Sequence, residues 1–234
     1  MRNVRVAACQ FEHRDNDPAY NLSRIRDLTR RAVDLGAELV SFHEGCIHGY
    51  SWIQPLDKPA LLKIAEPVPD GPSISALEAI AVEFQTVVMA GLFERDSQDR
   101  VWNTYVTVSP DGFVAKFSKI HPFVNPHLSA GSEYQVIDLL GCKVGFLICY
   151  DNNLPENVRL TAMLGAEIII MPHVTGCLPS VMPGRGVVER ELWDRRHEDP
   201  VRLRQEFQGP KGREWLMRWL PARAYENGIY AVFS

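Results

Sequence analysis

Apolar residues recur along this chain with two different periods, and the alternation between them lays out its elements. Short runs at residues 4–9, 38–42, 86–93, 141–149, 166–171 and 228–233 predict strands, since they are too brief for buried helices and rich in β-branched side chains. Between the first two, Leu22, Ile25, Leu28, Ala32 and Leu35 share one face at helical spacing and Gly36 follows as a stop, so the pattern predicts a helix over 21–35. A second helix over 73–83 precedes the strand at 86–93 and repeats the β-α-β rhythm. Residues 102–109 and 113–117 flank Pro110-Asp111-Gly112, a hairpin signal. The strongly apolar run at 166–171 is of the kind covered on both faces.

The pattern changes most sharply at Cys149. The apolar run 144–148 stops there, Tyr150-Asp151-Asn152-Asn153 form a turn, and from Pro155-Glu156 onward Val158, Leu160, Met163 and Leu164 take helical spacing. Strand, sharp turn, then helix is a geometry that presents a nucleophile beside free backbone N–H groups. A small buried core cysteine gives the same local pattern. Glu44 follows the strand at 38–42 in a glycine-punctuated loop, His43 through Tyr50, and Lys119 lies between the second hairpin arm and Ile120-His121-Pro122-Phe123. Taken singly, Glu44 reads more readily as a solvated loop carboxylate and Lys119 as a surface lysine.

Composition narrows the setting. With 234 residues, 46% hydrophobic and 23% charged, the chain suits one globular domain with a sizeable core, and we expect a single domain over 1–234. A net charge of −4 gives no electrostatic case for nucleic acid. No apolar run reaches membrane-spanning length and no secretory h-region opens the chain, which points to the cytoplasm and to no membrane partner. Cys9, Cys46, Cys142, Cys149 and Cys177 are scattered without a CxxC pair, so neither a disulfide framework nor a zinc knuckle is indicated. His43, His48, His121 and His127 lack metal-ligand spacing, and no metal or organic cofactor is expected. Residues 176–213, rich in Pro, Gly, Arg and Glu, read as a long inserted loop with a short helix over 190–196. That segment is expected either to fold over the active site and set specificity, its arginines holding a substrate carboxylate, or to serve as a solvated loop in oligomer contacts.

Glu44, Lys119 and Cys149, in that order, resemble the Glu-Lys-Cys triad of the nitrilase superfamily, the carbon-nitrogen hydrolases. Glu44 with Gly49-Tyr50 is similar to that family's first motif, and Trp102-Asn103-Thr104, Asp111-Gly112 and Lys119-Ile120-His121 to its second. Cys149-Tyr150-Asp151 with Pro155-Glu156 resembles its nucleophile elbow, and Arg223-Ala224-Tyr225-Glu226-Asn227 its late helix. The resemblance implies an α/β fold, an α-β-β-α sandwich, usually paired into a homodimer or higher homo-oligomer. It also implies final strands beyond Ser234, so a partial chain is expected.

The chemistry implied is hydrolysis of a non-peptide C–N bond in a small amide or N-carbamoyl compound. Cys149 would attack and form a thioester, Glu44 would shuttle the proton, and Lys119 with the backbone N–H of Tyr150 would receive the oxyanion. Reference pKa values of about 8.5 for Cys and 4.3 for Glu leave roughly 4 units against that transfer, about 6 kcal/mol, so an enclosed site is needed. There, burial is expected to raise the Glu and Lys119 to lower the Cys. Cys-Tyr-Asp resembles the amidase and carbamoylase branches more than the nitrile hydrolases, which usually carry Cys-Trp-Glu. Many members place a second glutamate beyond the lysine. Here 124–131 has no carboxylate, and His127 is expected to substitute, with Asn153 as a further substrate-positioning candidate. A nitrilase, an acyltransferase using the same triad, and a non-catalytic binding or assembly module remain the alternatives.

Overall fold

The computed structural model describes residues 2–176 and 179–234, so Cys177 lies outside the described residues. The chain divides into two compact units, one running to Val174 and taking in Val232–Ser234, the other Thr175–Ala231. In the first, strands β1 (Val6–Cys9), β2 (Leu39–Phe42) and β3 (Val87–Arg95) are parallel neighbours, separated in sequence by helices α1 (Pro18–Asp34), α2 (Lys58–Ile64) and α3 (Pro72–Phe84). Strands β4 (Val101–Ser109) and β5 (Gly112–Ser118) extend the sheet antiparallel as the expected hairpin, and β6 (Leu128–Ser129) pairs with β4. The second sheet contains β7 (Val136–Leu139) and β8 (Cys142–Phe146), followed by α4 (Pro155–Met163) and β9 (Ile168–Met171). Its outer strand β10 (Tyr230–Phe233) returns at the end of the chain, where Ser234 N–H donates to Met171 O at 3.3 Å.

Alternation along β2 explains the layering. Val40 and Phe42 pack with Ile25 and Ala32 of α1 and with Ile74, Leu77, Ile80 and Ala81 of α3, all almost wholly buried. Ser41, on the other face, hydrogen-bonds to Ser234 Oγ (2.8 Å) and Tyr105 Oη (2.9 Å). Phe117 of β5 stacks on Phe146 of β8 with centroids 6.5 Å apart, so the two sheets meet face to face. On the far side α4 packs so closely on β8 that a Cβ on Gly145 would lie 2.5 Å from Thr161 Cγ2. The result is the expected α-β-β-α order.

Several boundaries differ from the periodic reading. Helix α1 begins at Pro18, ahead of its apolar stripe, because Asp17 caps it by accepting the Tyr20 N–H at 3.0 Å. Helix α2 carries the same unread signal, Asp57 accepting from Ala60 N–H at 2.9 Å with a proline in the first turn. Strands β6 and β7 were likewise not foreseen; β6 has only two residues, too few for a period.

The unit Thr175–Ala231 is more helical than a long loop. It contains α5 (Arg190–Asp194), α6 (Pro200–Gln208), α7 (Arg213–Met217) and α8 (Leu220–Asn227). Only α5 and the late helix α8 match expectation; α6 is announced by its cap Asp199, which accepts from Arg202 N–H at 3.2 Å. Among the described residues, no helix is long and apolar enough to cross a membrane.

Candidate active site

Three buried side chains from distant parts of the first unit converge. Glu44 follows β2 and is fully buried; its Oε1 accepts from Lys119 Nζ at 2.5 Å and from Asn103 Nδ2 at 2.7 Å, and its Oε2 from the Val174 N–H at 3.3 Å. Lys119, 1% exposed, also approaches Tyr50 Oη at 3.4 Å. The Cys149 thiol lies within electrostatic reach of both and points its weak donor toward Val174 O at 3.8 Å.

Backbone packing sets this convergence. The chain at Glu44 lies directly on β3, where a Cβ on Gly91 would come 2.3 Å from Gly45 N and 2.9 Å from Glu44 C, so only glycine fits. Lys119 leaves β5 with its N–H on Asn103 O at 2.8 Å and its carbonyl on Gly131 N–H at 2.8 Å. Asn103 therefore holds both members of the ion pair, one through its main chain and one through its side chain. The sequence displayed Asn103 in a motif but carried no sign of that double duty.

Strand β8 ends at Phe146, short of the predicted 149, although parallel pairing continues through Leu147 N–H to Ile170 O (3.1 Å) and Cys149 N–H to Pro172 O (2.9 Å). Cys149 opens a 3-10 turn, Cys149–Asn153, with φ +50°. A left-handed backbone at a residue with a Cβ costs on the order of 1–3 kcal/mol and persists only where its surroundings enforce it. Asn152 is one enforcer: fully buried, it donates from Nδ2 to Leu147 O (2.8 Å) and Cys149 O (3.3 Å). Asn153, expected to position substrate, is exposed instead. The tight turn sends neighbouring side chains in different directions, and the amide that faces inward belongs to Asn152. His127 is also exposed, its backbone N–H tied to Asn125 Oδ1 at 2.8 Å, and no described contact joins its ring to Glu44, Lys119 or Cys149. Tyr150 is half-exposed beside the edge of Phe123, with centroids 5.7 Å apart.

Electrostatics differ from the expectation at one point. Burial pushes the Cys149 thiol well above its ordinary range, and the Glu44 carboxylate adds to this more than the Lys119 ammonium takes away. The resting thiol is thus protonated, not depressed toward thiolate. For Lys119, burial opposes the charge, but Glu44, Cys149 and Asp151 outweigh it and hold the ammonium above its usual range. Burial and Glu44 keep the Tyr50 phenol neutral. Beside the elbow a cleft of about 620 Å³ is lined by Ile120, His121, Pro122, Phe123, Leu128, Ala130 and Tyr150, none of them an Asp, Glu, Lys or Arg.

Comparison with known proteins places the chain in a family. A (R)-stereoselective amidase of Pseudomonas sp is 32% identical over 173 residues, 73% of this chain and 60% of the amidase. A nitrilase of Pyrococcus abyssi is 32% identical over 189 residues, 79% of this chain and 71% of the nitrilase. The chain therefore spans about three-fifths to seven-tenths of these relatives. An amidase of Nesterenkonia sp. superposes over 99% of this chain and 75% of its own, with TM-score 0.69 and 22% identity. In one structure of that amidase, a Glu-to-Gln mutant, acrylamide has added to the active-site cysteine. The family model for carbon-nitrogen hydrolases matches residues 5–234, and this chain belongs to the carbon-nitrogen hydrolase family.

Proposed function

We propose that the chain hydrolyses a small, uncharged amide through a Cys149 thioester. The observation that carries this reading is the Glu44–Lys119 ion pair, buried and closed at 2.5 Å beside a thiol held on a left-handed elbow. A buried pair of ions is a weak source of stability, so its presence next to a strained cysteine favours chemistry over packing.

In this mechanism Glu44 accepts the thiol proton, Cys149 Sγ bonds to the carbonyl carbon, and Lys119 Nζ with the Tyr150 N–H receives the oxyanion. Glu44 then passes the proton to the departing amine and activates water for the second half-reaction. Burial and the Glu44 carboxylate raise the thiol, which favours transfer as the C–S bond forms over transfer beforehand. Negative charge then develops on the oxyanion beside Lys119, and no free thiolate rests in the buried pocket.

Two observations favour an uncharged substrate. The cleft beside the elbow carries no Asp, Glu, Lys or Arg. Three of the arginines expected to hold a substrate carboxylate are ion-paired within their own unit: Arg190 with Asp194 at 2.9 Å, Arg195 with Glu198 at 2.9 Å, Arg202 with Glu189 at 3.6 Å. The 32% identity to the Pyrococcus nitrilase supports a second reading, nitrile hydrolysis by the same thiol.

Intact-mass measurement after brief iodoacetamide treatment, then with butyramide, phenylacetamide, butyronitrile and a carbamoyl amino acid, tests the proposal. Selective labelling of Cys149, with an acyl adduct that accumulates in Glu44→Gln, is expected from an amide. Turnover of the nitrile alone would replace the amidase reading with the second one. A folded protein with an unreactive Cys149 and no adduct would refute both.

A further inference from the structure

One fully buried carboxylate has no part in that proton shuttle. Asp151, two residues beyond Cys149, has no exposed surface, and burial raises its pKa against the pull of its hydrogen bonds. Among the described residues, all of its carboxylate's hydrogen-bond donors are main-chain N–H groups: His121 on Oδ1 at 2.8 Å, and Ile120 and Ile148 on Oδ2 at 3.2 Å each. Ile120 and His121 directly follow Lys119; Ile148 directly precedes Cys149. Capping the turn requires only the bond to Ile148. The other two reach about thirty residues back along the chain and tie the lysine loop to the elbow.

We propose that Asp151 is a positioning residue, setting the register between the Lys119 ammonium and the Cys149 elbow so that both meet the same oxyanion. This rests on the hydrolase reading above. An oxyanion site needs donors from both segments at hydrogen-bond distance from one atom, and a misplacement of about 1 Å costs on the order of a hundredfold in rate. A carboxylate suits the task because it accepts on both oxygens and donates nothing. The isosteric amide does not, since in either orientation its NH2 faces at least one of the three N–H donors. The elbow is braced from its other side as well, where Asn157 Nδ2 donates to Asp151 O at 2.9 Å and Tyr134 Oη to Asn157 Oδ1 at 2.6 Å. The Asp151 side chain thus governs the lysine side of the joint.

The test compares Asp151→Asn with wild type by two readouts. The first is turnover of the fastest among butyramide, phenylacetamide and butyronitrile. The second is the rate of Cys149 alkylation by iodoacetamide, a displacement that forms no tetrahedral oxyanion. Expected is a kcat loss of about tenfold or more, with KM and the alkylation rate within about twofold of wild type. A purely structural defect would slow turnover and alkylation together, and that result overturns the proposal, as does a kcat within about twofold of wild type. If Asp151→Asn does not fold, Asp151→Glu keeps the charge while shifting both oxygens by one methylene, and the same criteria apply. Failure of the hydrolase reading shows separately, as a wild type that neither labels nor turns over.

Discussion

In the unit that carries Cys149, the ion pair Glu44–Lys119 leaves at most 1% of either side chain exposed, whereas in Thr175–Ala231 the pair Arg190–Asp194 leaves 87% and 52%. Both are opposite charges within 3 Å, yet they do different physical work. The buried pair has lost its hydration and depends on Asn103, Val174 and Tyr50 for replacement. The exposed pair keeps its water and is screened by salt. Charge that is expensive to hold is found where the chemistry is proposed, and charge that costs little coats helices α5 and α6.

Removing one member of each pair should separate the two most widely. Lys119→Ala leaves the Glu44 carboxylate buried without its counter-ion, so turnover should vanish and unfolding by urea should show a loss of about 3–5 kcal/mol. Arg190→Ala is the opposite extreme, taken up last.

Acid should probe the first unit next. His43, buried and beside His13 Nδ1 at 3.1 Å, is pushed down to about 3, and buried His173 to about 4, burial being the main cause in each. Both stay neutral in the folded chain while the unfolded chain takes up protons below about 6.5. Their contribution is complete above that pH and drains away as pH falls toward 3–4, at about 1.4 kcal/mol per pH unit for each histidine. Urea midpoints between pH 7 and 4 measure it, and a pH-independent midpoint would contradict it.

A smaller effect should run the other way. Cys149→Gly relieves the left-handed backbone that Cys149→Ala retains, so the glycine variant should be the more stable of two inactive proteins, by about 1 kcal/mol. Calorimetry of the pair reads out that strain. Arg190→Ala should leave the melting temperature within about 1–2 °C of wild type; a larger fall would mean that the exposed pairs carry more than their solvation allows.

How far these features were legible depended on the distance over which each is decided. Strands β3 and β4, the hairpin turn and the body of α1 rest on a period a few residues long, and so did the sight of Glu44, Lys119 and Cys149 at strand ends. Helices α2 and α6 carry a signal too, a capping Asp57 or Asp199 with proline within two residues, but their apolar periods are weak and a cap without a period does not predict a helix. His127 is expected only from the resemblance, as a substitute for the family's second glutamate, and Asn153 only as a candidate at the elbow; both are exposed, and the inward amide is Asn152, one residue away.

What local pattern settled was the order of the longer strands and of helices α1, α3 and α4, the turn at Cys149, and the family motifs spread along the chain. These follow from neighbouring residues and carry over to any packing of the whole. Tertiary structure decided which polar groups lost their water together. Asn103 holding Glu44 and Lys119, Asp151 joining 120–121 to 148, Gly91 admitting the Glu44 backbone, and a thiol shifted up instead of down all depend on groups distant in sequence. Desolvation is a property of the surroundings in space, and a linear pattern of apolar and polar residues does not contain it.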